Sequence, residues 1–260
     1  MADRLPIIAG NWKMYRDHLE AIQLVQKLAY HLEGDDYAGQ EVVLCPAFIA
    51  LRSIQTLIQS DGLPMKLGAQ TCHHEDEGAF TGEISVPMLE RLDVEYVLAG
   101  HSERRAMFGE TDEVVNAKVK AIRSHGLRPI VCVGESLEER DAGRAVDVVS
   151  HQLRGSLAGV SVSDPHDLVV AYEPVWAIGT GKTATPDDAQ QMCAAVRAEV
   201  GALLGESTAE QLRIQYGGSV KPGNIRALMA EPDIDGVLVG GASLSSEDFA
   251  LIVAHRRVRG

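Results

Sequence analysis

DEVVNAKVKAIRSHGLRPIVCVG (residues 112–134) holds a helix and a strand back to back. Val115, Val119 and Ile122 recur at helical spacing, and Gly126 stands where a helix stops. The spacing predicts a helix over 112–126. RPIVCVG (128–134) then runs apolar instead of alternating, as a parallel strand does when it is covered on one or both faces.

The same unit recurs along the chain. Strand-like runs are PIIAGNW (6–12), EVVLCPA (41–47), KLGAQ (66–70), YVLAGHS (96–102), RPIVCVG (128–134), LVVAYEPVW (168–176), LRIQYGG (212–218) and GVLVGGA (236–242). Helical stretches separate them. TPDDAQQMCAAVRAEVGALLG (185–205) opens with a Thr cap, Pro186 in the first turn and two acids near the positive helix end. SSEDFALIVAH (245–255) opens the same way. Eight strands alternating with eight helical segments, with no linker or break in composition, predict one α/β domain over 1–260. Its architecture is a closed (β/α)8 barrel in preference to an open doubly wound sheet.

Bulk composition narrows the partners. Apolar residues make up 45% of the 260 and aromatic residues 5%, so Val, Ile, Leu and Ala build the core. A formal net charge of −13 argues against nucleic acid or an anionic membrane as the main partner. An anionic substrate would then need local donors. Cys45, Cys72, Cys132 and Cys193 form no CxxC pair and read as reduced, buried thiols. Neither a secretory h-region nor an apolar run of membrane-spanning length is evident. A soluble, cytoplasmic protein is expected.

In such a barrel the residues just after each strand converge at one mouth. In order these are Asn11 and Lys13, Gln70, His101, Glu135, Glu173, Ser219, Gly240 and Gly241. The pairs in YGGS (216–219) and VGGAS (239–243) allow main-chain N–H groups close to an anion, although each could be an ordinary tight turn. His101 precedes a helix start at Ser102, where the positive helix end disfavours its cation. It reads as a neutral hydrogen-bond donor or as a plain helix cap. Lys13 reads as an anion attractor or a surface lysine. Glu173 ends the sixth strand among apolar neighbours, which would raise its pKa and make it a better base, unless it is a buried glutamate paired to a cation.

Two suggestive strings carry less. GTGKT (179–183) ends like a nucleotide-binding P-loop, but the first glycine of that motif would fall on Trp176. HHED (73–76) might suggest a metal, but consecutive residues do not share a face, and the stretch reads as a solvated loop.

NWKMY (11–15), GAFTGEIS (78–85), GHSERR (100–105), CVGE (132–135), AYEPVWAIGTG (171–181), YGGSV (216–220) and VGGASL (239–244) occur in this order. Together they resemble the triosephosphate isomerase family from about residue 6 to 252. The resemblance implies interconversion of dihydroxyacetone phosphate and glyceraldehyde 3-phosphate without metal or organic cofactor. It implies Glu173 as the base, His101 as a neutral electrophile, and Lys13 with Asn11 stabilising negative charge. A glutamate base beside a neutral histidine under a closing loop is the arrangement known for this family. Gly179, Ser219, Gly240 and Gly241 would hold the phosphate, PVWAIGTGK (174–182) would form a lid, and Ser102 and Glu103 would organise the site.

The resemblance further implies a homodimer in which the loop from Thr71 to Gly82, with Phe80 and Thr81 at its tip, enters the partner near the partner's lysine. Thr71 departs from the family's usual Asn. Two other readings stay open: a different sugar-phosphate isomerase or lyase on the same barrel, and a non-catalytic phosphate-binding or scaffolding barrel. The second would be expected to lose Lys13, His101 or Glu173, and all three are present.

Overall fold

Strands Ile7–Asn11 (β1), Glu41–Cys45 (β2), Lys66–Ala69 (β3), Val94–Ala99 (β4), Arg128–Val133 (β5), Val169–Tyr172 (β6), Arg213–Tyr216 (β7) and Gly236–Val239 (β8) pair in sequence order and close into a parallel barrel. The computed structural model describes residues 4–178 and 184–257. The seam is β8 against β1, in the register Ile7 to Gly236 through Gly10 to Val239. Gly236 is required there: a Cβ would stand 2.0 Å from the carbonyl oxygen of Ile7.

The unbroken apolar strands follow from burial on two sides. Ile7, Ala9, Val43, Cys45, Tyr96, Leu98, Ile130, Cys132, Val169, Ala171 and Leu238 pack together inside the barrel. Their strand neighbours, such as Ile8, Val42, Leu44, Val97, Val131 and Val170, face the helix layer. Each such side chain contributes about 1.5–3 kcal/mol when fully buried. The helix Asp112–Ser124 presents Val115, Val119 and Ile122 to that layer, as its spacing requires.

Caps fix where the helices begin. Thr185 accepts the N–H of Asp188, whose carboxylate in turn accepts the N–H of Thr185, and Pro186 occupies the first turn of Pro186–Leu204. Ser245 caps Ser246–Val253. Gly126 follows the helix end at φ +75, outside the helix and not within it. All four cysteines are free and buried.

The strands are shorter than the apolar runs that announce them. β4 begins two residues before the expected Tyr96 and stops at Ala99, and β6 stops at Tyr172 instead of 176. Val175–Ala177 instead form a 3-10 turn with Ala177 buried, so the apolar character continues past the strand for packing reasons. Helical segments also outnumber the eight expected, with Ser102–Phe108 preceding Asp112–Ser124 and Leu137–Asp141 preceding Ala145–Ser156. No described helix is long and apolar enough to cross a membrane.

Candidate active site

Asn11, Lys13, His101, Glu173, Ser219, Gly240 and Gly241 line a single cavity of about 440 Å³ at the carboxyl ends of the strands. They come from the ends of five strands, β1, β4, β6, β7 and β8, so the barrel brings together residues as far apart as 11 and 241. Gly179 was expected to join them, but it lies outside the described residues, as does the lid beyond Ile178.

Glu173 is buried at the centre. Its Oε1 stands 3.0 Å from Nε2 of His101, and its Oε2 accepts the N–H of Ser102 at 2.9 Å. Burial pushes the carboxyl up in pKa, but His101, the Ser102 N–H and Lys13 together bring it below the ordinary value of 4.5. The expectation of a raised pKa is therefore overturned. Apolar surroundings are real, but the polar partners outweigh them. Gly217 leaves room for this side chain, since a Cβ there would stand 3.0 Å from Cγ of Glu173.

His101 caps the helix Ser102–Phe108, and its Nδ1 accepts the N–H of Glu103 at 3.2 Å. An accepting Nδ1 leaves the ring proton on Nε2, pointed at Glu173. Burial lowers the pKa of this imidazole, but the carboxylate of Glu173, followed by that of Glu103, raises it above the ordinary 6.5. The helix end therefore does not set the charge of His101 alone, contrary to the sequence reading. The facing carboxylate opposes it.

Lys13 is held by three neighbours. Asn11 Oδ1 accepts its N–H at 3.0 Å, Gln70 Nε2 donates to its carbonyl at 2.8 Å, and its Nζ lies 2.5 Å from Glu103 Oε1. These contacts hold the residue at φ +53, a left-handed backbone that a non-glycine residue adopts only under constraint. Ser102 thus contacts Glu173, and Glu103 contacts Lys13.

On the glycine side, Ser243 donates its N–H and its Oγ–H to the carbonyl of Gly240, at 2.8 and 2.7 Å, and a 3-10 turn Gly241–Leu244 begins there. First-turn N–H groups have no partners within such a turn and are free for an anion. Asn224 braces the opposite loop, accepting the N–H of Lys221 at 2.8 Å and donating to the carbonyl of Ser219 at 2.9 Å.

Glu135 is not in the cavity, although its place after β5 suggested the mouth. It is fully buried, and its Oε1 accepts from Tyr172 Oη at 3.0 Å and Trp176 Nε1 at 2.9 Å, so it anchors the root of the expected lid. Thr71 accepts from Lys118 Nζ at 2.9 Å and does not touch Lys13, which its neighbour Gln70 holds instead. In HHED, His73 stacks on His74 and Phe80, with ring centroids 4.5 and 4.1 Å apart, and residues 74–80 are exposed, as a solvated loop should be. Sequence reading missed Gln152, Asn224 and Arg140, whose side chains act on backbone or on other side chains. No motif marks such roles.

A buried acid–base pair facing an anion-receptive turn at a barrel mouth defines the class, a (β/α)8 enzyme that moves protons on a phosphorylated substrate. The comparisons narrow it. The family model described as triosephosphate isomerase matches residues 6–256. The triosephosphate isomerase of Streptomyces coelicolor is 54% identical over 98% of this chain and 99% of its own length. That of Carboxydothermus hydrogenoformans is 54% identical over 96% of this chain and 98% of its own. That of Herpetosiphon aurantiacus is 54% identical over 97% of this chain and all of its own length. The chain belongs to the triosephosphate isomerase family and is an isomerase of triose phosphates.

Proposed function

We propose that the chain interconverts dihydroxyacetone phosphate and D-glyceraldehyde 3-phosphate through an enediolate, with Glu173 as the base. Glu173 takes a proton from one carbon and the bonding pair moves onto the carbonyl oxygen; a proton then passes from the neighbouring hydroxyl oxygen to that oxygen, and the same carboxyl returns the carbon proton to the adjacent carbon as the new carbonyl forms. The observation that carries this reading is the 3.0 Å approach of Glu173 and His101 within the cavity that Lys13 also lines.

A proton beside a carbonyl is too weak an acid for a carboxylate unless the developing oxyanion is stabilised. His101 Nε2–H, Lys13 and Asn11 are preorganised donors for it. Substrate between Glu173 and His101 separates the imidazole from the larger of the two carboxylates that raise its pKa, while the smaller effect of Glu103 remains, opposed by Lys13. The Glu103 N–H on Nδ1 and burial then both favour neutral His101.

Ser219, Gly240 and Gly241 grip the phosphate, and that binding energy drives closure of the segment rooted at Pro174–Ile178. Closure excludes water and suppresses loss of phosphate from the enediolate. The active form is a homodimer. Exposed Met14, Tyr15, Phe80, Met107 and Phe108 support that reading. The four buried free thiols suit the reducing cytoplasm, where we place the chain. A coupled assay of glyceraldehyde 3-phosphate consumption tests the activity. Turnover no faster than the uncatalysed reaction would sink it.

A further inference from the structure

Gln152 reaches from the helix Ala145–Ser156 to the end of β5. Its Oε1 accepts the N–H of Gly134 at 2.8 Å, and its Nε2 donates to the carbonyl of Gly134 at 3.1 Å. A single side-chain amide thus takes both polar groups of one residue, as a neighbouring strand would. It is needed because the β5–β6 ladder ends at Val133 and Tyr172. Beyond that point the chain hops over Gly134: Glu173 donates its N–H to Val133 at 2.7 Å, and Val175 donates to Glu135 at 3.1 Å.

Gly134 also bears directly on the backbone of Glu173. A Cβ at Gly134 would stand 1.7 Å from the carbonyl oxygen of Glu173 and 3.3 Å from its Cα. The Gly134 peptide is therefore the surface on which the Glu173 backbone rests, and Gln152 fixes that surface against the helix layer. We infer that Gln152 is a positioning residue for the base, acting through Gly134 to hold Glu173 where its carboxylate reaches the substrate carbon. This rests on Glu173 being the base. Reacting groups misplaced by about 1 Å lose up to about 10²-fold in rate, so small shifts of this peptide register in turnover.

The test compares Gln152→Met, which keeps shape but neither hydrogen bond, with Gln152→Glu, which keeps the acceptor for the Gly134 N–H. Both are measured alone and in a Glu173→Ala background. Expected is a kcat lower by about tenfold or more for Gln152→Met and by less for Gln152→Glu. KM should stay within about twofold, because none of Lys13, Ser219, Gly240 and Gly241 bonds to Gln152. In the Glu173→Ala background the Gln152 substitutions should cost no further activity, since both changes act through one group. Folded variants with native kcat, even with a lower melting temperature, would assign Gln152 a purely structural role and overturn the inference. The same loss of kcat with and without Glu173 would overturn it too. If Gln152→Met does not fold, Gln152→Glu decides alone. Native activity in Glu173→Ala itself would instead remove Glu173 as the base.

Discussion

Glu173 faces His101 with 3.0 Å between Oε1 and Nε2, and its other oxygen is bound to the N–H of Ser102 at 2.9 Å. Both carboxylate oxygens are thus engaged by the protein, and as the proposed base Glu173 would have to leave these partners to reach a substrate carbon. These partners hold its carboxyl below the ordinary carboxylate value despite its burial. We predict that phosphate binding and movement of the segment that begins at Pro174 shift Glu173, because the two are continuous in the chain.

We predict that Glu173→Ala lowers kcat by about 10²- to 10⁴-fold, the usual contribution of a positioned base, with KM changed little. Steady-state kinetics in both directions check it. Near-normal turnover would exclude Glu173 as the base.

Lys13→Ala should lower kcat/KM by about 10²-fold through loss of charge stabilisation at the developing oxyanion. The net charge of −13 makes a local cation more valuable at low salt, so the deficit should be largest there and shrink as salt rises. The ion pair of Lys13 with Glu103 keeps the ammonium in place at the cavity. An unchanged kcat/KM at low ionic strength would refute the role.

Much of the fold and site is legible before any coordinates. A barrel buries its strands on both faces, so β1, β2 and β5 appear as unbroken apolar runs; Asn11 ends its strand, and His101, Glu173 and Ser219 stand just beyond theirs. Strand ends are less legible. After Tyr172 the residues Val175 and Trp176 stay apolar as part of a 3-10 turn, Trp176 packing against the core, and hydropathy alone does not separate that from a strand. The pKa of Glu173 is not legible in sequence for a related reason. Local sequence shows Pro174 and Val175, but the groups that decide the charge come from residues 13, 101 and 102. Gln152 and Asn224 escape notice because each serves backbone atoms, which carry no sequence signature.

Glu110 makes stability depend on pH with a definite sign. Its carboxylate pairs with buried Lys118 and with Arg104, and Lys118 also donates to Thr71 at 2.9 Å. Burial raises the carboxyl pKa, but the two cationic donors bring it below the ordinary 4.5. A lowered folded pKa means that the unfolded chain takes up the proton first on acidification. This contribution is therefore complete above the ordinary value and lost as pH falls through the lowered one. Glu110→Gln should cost about 3 kcal/mol at neutral pH, because Lys118 is left buried without its charge partner. The difference from the native chain should shrink below pH 4.5. Denaturant melts at one fixed protein concentration measure this, and a difference independent of pH would contradict it.

We predict that the loop from Thr71 to Gly82 docks on a second copy of the chain. His73 stacks on His74 and meets Phe80 at a tilt, and Asp76 is tied to His125 at 2.8 Å, so the middle of the loop is held against its own barrel. Gly78 at φ +147 and Gly82 at φ +92 turn the backbone where other residues would be strained. Phe80 nevertheless stays 43% exposed, and Met14 and Tyr15, flanking the cavity residue Lys13, are more exposed still. Apolar side chains displayed this way on a preformed loop lose little entropy on docking, which favours a self-complementary contact between two copies. Removing the tip at Phe80 and Thr81 should therefore yield monomers, and sedimentation velocity over a range of concentrations reads the result directly. Activity should fall in the same variant, because the partner's loop would otherwise cover the side of the site where Lys13 sits at φ +53. Dimers that persist without the tip would place the interface elsewhere on the barrel.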